Sequence, residues 1–371
     1  MPGARIVSLI LLLLLPGISV WAKADSSNNW PLWQYFTERF VQADGRIIDV
    51  TFDQKSTSEG QSYGLFFALV ANDRKQFDTI LKWTSENLAG GQLGDTLPGW
   101  LWGRRDDGSW GIKDQNSASD SDLWITYTLL EAERLWHAPS YGDTARKMLR
   151  AIQRYETVET SGTGALLLPG RYGFNLANGR YRLVPSYMPG FLFRYLAIED
   201  SQGPWQAIWD NYMHMAPQIF SAGVAPDRFV IEPNGKVIPD TEAPPSASYD
   251  AIRVYTWAGM SGKSGELLVK LLPTYAKLIR ETGEPPENVD PVTGMAVKTS
   301  YSPLGFSAAV LPYLAMLGDM QTLNKQRLRL DTLQGKSPNY YDQSLIMFGM
   351  GWLDGQYRFD EKGRLHTKWM P

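Results

Sequence analysis

Apolar residues recur at helical spacing along nearly the whole chain, while the two-residue alternation of exposed strands is scarce. About a dozen such segments are discernible, beginning near Trp30, Gly60, Arg74, Ser121, Ser140, Ser186, Gly203, Asp250, Ser264, Leu304, Asp319 and Asn339. Short polar or Gly/Pro-containing links join most of them, so sequence neighbours are expected to pack as antiparallel hairpins. Twelve helices in six hairpins predict an all-α fold, an (α/α)6 barrel. Longer connections run over 90–120, 156–185, 222–248 and 281–301, lengths that call for function or minor secondary structure. Within them, Ala165–Gly170 and Arg180–Val184 are expected to form a small β-hairpin.

The first residues read differently. Arg5 precedes an apolar run from Ile6 to about Val20, followed by Ala22-Lys23-Ala24 with its small residues at the spacing that signal peptidase cuts. Residues 1–24 are therefore read as a cleaved export signal, the run being short for an uncleaved spanning anchor. Residues 25–371, without an internal repeat or dividing linker, read as a single domain that acts as a monomer. Loss of Arg5 and Lys23 leaves 34 basic against 39 acidic residues, a net charge of −5. That balance disfavours a nucleic-acid partner. Cysteine is absent, which removes disulfides, thiolate nucleophiles and Cys-based metal sites. The three histidines, His137, His214 and His366, are scattered at no metal-ligand spacing. They read as surface or packing residues, and no metal or cofactor is expected.

Chemistry concentrates at helix starts. Ser58-Glu59-Gly60, Ser119-Asp120-Ser121-Asp122 and Ser248-Tyr249-Asp250 each place a hydroxyl and a carboxylate just before an apolar run. If those helices are parallel neighbours, their carboxylates converge on one cleft suited to acid and base catalysis. Glu59, capped by Thr57 or Ser58, reads as a general acid, or else as a first-turn Glu that complements the helix dipole. The dipole lowers a carboxyl pKa, so an acid here needs burial or a neighbouring carboxylate such as Asp120 to raise it. One of Asp120 and Asp122 is expected to cap its helix, Asp122 the more so. Asp250 and Arg253 stand one turn apart, at a spacing that permits an ion pair.

Fourteen Trp and 18 Tyr are more than a core explains, since several lie in loops rich in Gly and polar residues. Leu97-Pro98-Gly99-Trp100-Leu101-Trp102-Gly103-Arg104-Arg105, with Trp110 following, reads either as stacking subsites for a polysaccharide or as a plug on the core. No P-loop and no Gly-x-Ser-x-Gly elbow is present.

Taken together and in order, Trp30-Pro31-Leu32-Trp33, Ser58 to Gly64, Asn116 to Asp122, Ser248 to Tyr255, and Gly305–Ala309 through Gly351-Trp352 resemble glycoside hydrolase family 8. Within that family the chain looks like the periplasmic cellulases of bacterial cellulose-synthesis systems. The resemblance implies an (α/α)6 barrel that hydrolyses β-1,4-glucosidic bonds with inversion. It implies Glu59 as proton donor, Asp250 as general base and Asp120 as the residue that holds the distorted sugar and tunes Glu59. Trp102, Tyr187, Tyr249 and Arg253 match cleft-lining positions, and Trp110 stands with them. The family pattern has Gly or Ala where Ser121 stands and Ala where Thr126 stands.

The expected function is an exported endo-β-1,4-glucanase of the periplasm, acting on β-1,4-glucan and accompanying a cellulose synthase and export complex. Alternatives are a relative acting on xylan, lichenan or chitosan, or a non-catalytic saccharide-binding component.

Overall fold

The computed structural model describes residues 30–370 apart from 243, 300 and 334–338. The expected export signal lies outside the described residues. Helices are α1 (Pro31–Phe40), α2 (Ser58–Val70), α3 (Arg74–Leu88), α4 (Ser119–Trp136), α5 (Pro139–Glu156), α6 (Gly190–Glu199), α7 (Trp205–Ile219), α8 (Ile252–Met260), α9 (Glu266–Lys270), α10 (Pro273–Thr282), α11 (Leu304–Ala309), α12 (Leu311–Met316), α13 (Met320–Leu333) and α14 (Tyr340–Leu353).

They form two rings. Helices α2, α4, α6, α8, α11 and α14 pack each against the next, and α14 closes on α2. An outer helix covers each of them: α3 on α2, α5 on α4, α7 on α6, α9 on α8, α13 on α11 and α1 on α14. This is the predicted (α/α)6 barrel. Sequence decides which ring a helix joins. Every residue of α2 except Glu59 is buried, as is every residue of α8, because an inner helix is enclosed on all sides and is mostly apolar or small. On α5, by contrast, Met148, Leu149 and Ile152 face inward while Lys147 and Arg150 are exposed. Inner helices approach one another closely where a side chain is missing. A Cβ on Gly349 of α14 would collide with the Ala308 backbone of α11. Gly64 likewise admits Ile47 against α2.

Two of the periodic segments are broken in the structure. Val310 separates α11 from α12 and Leu272 precedes α10. Proline sits at the second or first position after each break, where it lacks an N–H and cannot continue a preceding turn. Among the described residues no helix is long and apolar enough to cross a membrane.

The strands are more numerous than the sequence suggests. β1 (Ser56–Thr57), β2 (Leu101–Arg104) and β3 (Trp110–Asp114) form one antiparallel sheet. β4 (Thr157–Thr160) pairs with β5 (Gly164–Leu167), with Val158 opposite Leu166. β6 (Asn175–Leu176), β7 (Arg180–Leu183), β8 (Phe229–Ile231) and β9 (Val237–Pro239) form a four-stranded sheet, and β10 (Tyr357–Phe359) pairs with β11 (Leu365–Thr367). The expected hairpin between Ala165–Gly170 and Arg180–Val184 does not occur. Each segment pairs instead with a strand of its own sheet, because closer turns were available. Asn178 and Gly179 both take left-handed φ, 62° and 68°, the Asn-Gly preference of tight hairpins, and fold Arg180–Leu183 back on Asn175–Leu176.

Candidate active site

The starts of the inner helices meet at one end of the barrel. Thr57 Oγ1 accepts the Gly60 N–H at 3.0 Å and Asn339 Oδ1 accepts the Asp342 N–H at 2.7 Å. These caps set the first turns of α2 and α14, and Tyr340 then donates its hydroxyl to Glu59 Oε1 at 3.1 Å.

Arg253, in the first turn of α8, joins the carboxylates. Its Nη1 donates to Glu59 Oε2 at 2.6 Å and to Asp120 Oδ2 at 2.8 Å. Tyr63 Oη stands 3.0 Å from the same nitrogen, and Nη2 donates to Asp250 Oδ1 at 2.5 Å. The ion pair expected between Asp250 and Arg253 is therefore present. Three carboxylates from three helix starts surround one guanidinium whose side chain is 3% exposed. All ionised, the group would carry two net negative charges in a poorly hydrated place, and holding a proton relieves that cost. Burial, the largest cause, together with Asp120 and Asp250 raises Glu59 to about 7, outweighing Arg253 and the Tyr340 hydrogen bond. Asp250, whose side chain is 47% exposed, is raised as well, by partial desolvation in the cleft first and then by Asp227 and Asp120, against the pull of Arg253. Among the described residues no three His, Cys, Asp or Glu side chains form a metal-ligand group.

Asp120 lies in the first turn of α4, with Oδ1 accepting the Ser121 N–H at 2.7 Å. Neither Asp120 nor Asp122 caps that helix, whose start has no side-chain cap. Asp122 instead turns inward to the carboxyl of Glu156, and both side chains are fully buried. Glu156 also accepts from Ser117 Oγ at 2.5 Å. The expected capping role of Asp122 is thus replaced by a buried carboxyl pair, because Ala118 rather than an aspartate occupies the N-cap position.

Tyr187, just before α6, lies with its ring centroid 5.6 Å from the Arg253 guanidinium carbon. Tyr249 is 44% exposed and donates its hydroxyl to Glu287 Oε1 at 2.9 Å. Glu59, Tyr249, Asp250, Arg253, Tyr340 and Tyr341 line one cleft of roughly 730 Å3. Trp102 and Trp110 stand on β2 and β3, outside that lining. Their rings stack with centroids 5.3 Å apart, Arg46 lies over both at 4.2 and 4.8 Å, and Trp83 meets Trp102 edge-on. Trp110 remains 45% exposed, whereas Trp102 is half-buried among these neighbours.

Three residues of the site have no signal in the motifs. Asp227, in the long loop before α8, accepts the N–H groups of Ser248 and Ala251 at 2.8 and 2.9 Å. Tyr340 and Tyr341 open a helix whose start was legible, but that start carries tyrosines at the cleft where the others carry carboxylates. Tyr341 donates to the Tyr249 carbonyl at 2.5 Å.

The sequence matches the family described as "Glycosyl hydrolases family 8" over residues 7–355. The chain belongs to glycosyl hydrolase family 8. A relative named "Endoglucanase" from Xanthomonas axonopodis pv. citri is 43% identical over 364 residues, covering 96% of this chain and 93% of that protein. The "Endoglucanase" of Escherichia coli K12 is 40% identical over 365 residues, covering 97% and 96%. A crystal structure of an endo-1,4-D-glucanase from Vibrio fischeri ES114 superposes with a TM-score of 0.86 at 37% identity, covering 92% of this chain and 100% of that one. The enzyme is thus a glycoside hydrolase by family, and Arg253 lines its barrel-end cleft with Glu59 and Asp250 while Asp120 is buried against the same guanidinium.

Proposed function

We propose that the enzyme is an endo-β-1,4-glucanase that hydrolyses internal bonds of cellulose-type glucan with inversion at the anomeric carbon. The observation that carries this reading is Arg253, which holds Glu59, Asp120 and Asp250 together from three separate helix starts. Glu59 is the general acid: raised to about 7, it holds a proton through much of the neutral range and can deliver it to the glycosidic oxygen. Asp250 is the base that draws a proton from the attacking water. As the most exposed of the three carboxylates, its side chain being 47% exposed, it has room for that water. Asp120, on the same guanidinium nitrogen as Glu59, braces the distorted sugar and keeps Glu59 protonated. Tyr187, Tyr249, Arg253, Trp102 and Trp110 bind or brace the chain of sugars around them.

The names of the relatives support a glucan substrate. Residues 1–24 act as an export signal in this reading, and 25–371 form one catalytic domain that works in the periplasm beside a cellulose synthase and export complex. The test is incubation of the mature enzyme with carboxymethylcellulose, following viscosity and reducing ends together. A fast fall in viscosity with few new ends, lost in Glu59→Gln, supports the reading. Faster turnover of xylan or chitosan than of glucan overturns the substrate.

A further inference from the structure

The wall of the cleft beside Glu59 and Asp250 includes Phe52, an aromatic ring that the chemistry above does not use. It is 60% exposed, the only exposed phenylalanine among the described residues. Phenylalanine is ordinarily buried, and no hydroxyl on this ring rewards contact with water.

The chain around it is fixed. Asp49 and Lys55 form an antiparallel bridge, and the Asp49 N–H donates to the Lys55 carbonyl at 2.8 Å. Asp49 Oδ1 accepts from the Thr51 N–H and hydroxyl at 2.9 and 2.7 Å. Asp53 and Gln54 then both take left-handed φ, 56° and 51°, a conformation that non-glycine residues adopt rarely and at a cost. Arg46 donates to the Gln54 carbonyl and, through Nε, to Ser56 Oγ at 2.9 Å. The same arginine lies over Trp102 and Trp110, so the turn is braced against that aromatic pair. Lys55 Nζ sits 3.7 Å from the centroid of the Phe52 ring. With one face taken by the ammonium, the opposite face and the edge remain for a ligand.

We propose that Phe52 is a stacking platform for a glucosyl unit of the substrate in the stretch of cleft that it shares with Glu59 and Asp250. The proposal rests on the glucanase reading. A β-1,4-linked glucosyl ring presents a flat C–H face to an aromatic ring and hydroxyls at its rim. Asp49, Thr51 and Asn339, in the same wall as Phe52, supply polar groups for that rim. Trp102 and Trp110 lie outside this wall, so Phe52 serves a different stretch of the cleft.

The experiment measures binding of cellohexaose by calorimetry to Glu59→Gln, which retains substrate without turning it over. Adding Phe52→Ala should weaken cellohexaose by roughly threefold to tenfold, the size of one aromatic contact. Phe52→Tyr should restore the affinity, which separates ring stacking from damage to the turn. Unchanged cellohexaose binding in Phe52→Ala overturns the platform while leaving the glucanase reading intact. If Glu59→Gln with Phe52 present binds no cellohexaose, the glucanase reading fails and the platform fails with it.

Discussion

Asp227 holds the backbone on both sides of Asp250. Its Oδ1 accepts the N–H of Ser248 at 2.8 Å and that of Ala251 at 2.9 Å. The proposed base therefore rides on a turn that is fixed from a different loop, and the Asp227 charge also raises its pKa.

Asp227→Ala should release that turn. Turnover should fall by about 10- to 100-fold, the cost of misplacing a catalytic group by about an ångström, with a smaller change in KM. Asp227→Asn keeps an acceptor oxygen and should recover most of the rate. Because it removes a negative neighbour of Asp250, it should also move the acidic limb of kcat/KM to lower pH. A pH profile of the three proteins checks both effects.

In the proposed mechanism the alkaline limb belongs to Glu59. An acid raised to about 7 should give kcat/KM a descending limb near neutrality. Asp120 raises that pKa, so Asp120→Asn should move the limb to lower pH as well as slow the reaction. Movement to higher pH would mean that Asp120 does not act on Glu59 through charge.

The Asp122–Glu156 pair predicts a stability profile. Burial raises both carboxyls, Glu156 to about 8 against an ordinary value near 4.5. Between those two values the folded state holds a proton that the unfolded chain has lost. Stability should accordingly be greatest at the acidic end of that window and decline as pH rises towards 8, by up to roughly 1.4 kcal/mol per pH unit for each such proton. Glu59 contributes with the same sign up to about 7. Thermal unfolding of the wild type at successive pH values should show the decline, and Asp122→Asn with Glu156→Gln should flatten much of it.

Helix starts were the most legible part of the fold, since caps, prolines and apolar period coincide there. The α3 and α11 boundaries, at Arg74 and Leu304, agree with the sequence to the residue. Strand pairing was poorly legible. Ala165–Leu167 and Arg180–Leu183 each read as strands, but partners such as Phe229–Ile231 are set by distant chain rather than by local pattern. Within the site, Glu59, Asp120 and Asp250 stood out because a carboxylate before an apolar run is a local signal. Asp227 did not, since its role is to bind backbone N–H groups 21 and 24 residues away. Asp122 carried the same local signal as Asp120, and only the positions of Glu156 at the end of α5 and of Arg253 on α8 separate a buried carboxyl pair from a carboxylate held in the arginine cluster.

The central claim is that Glu59 and Asp250 act on opposite sides of the scissile bond as acid and base, without a covalent sugar–enzyme intermediate. Proton NMR of the first products from a soluble β-1,4-glucan oligosaccharide, recorded before mutarotation, tests it most directly. The account predicts that the newly formed reducing end appears first as the α-anomer. Initial release of the β-anomer would contradict it, because retention requires one of these carboxylates to attack the sugar itself.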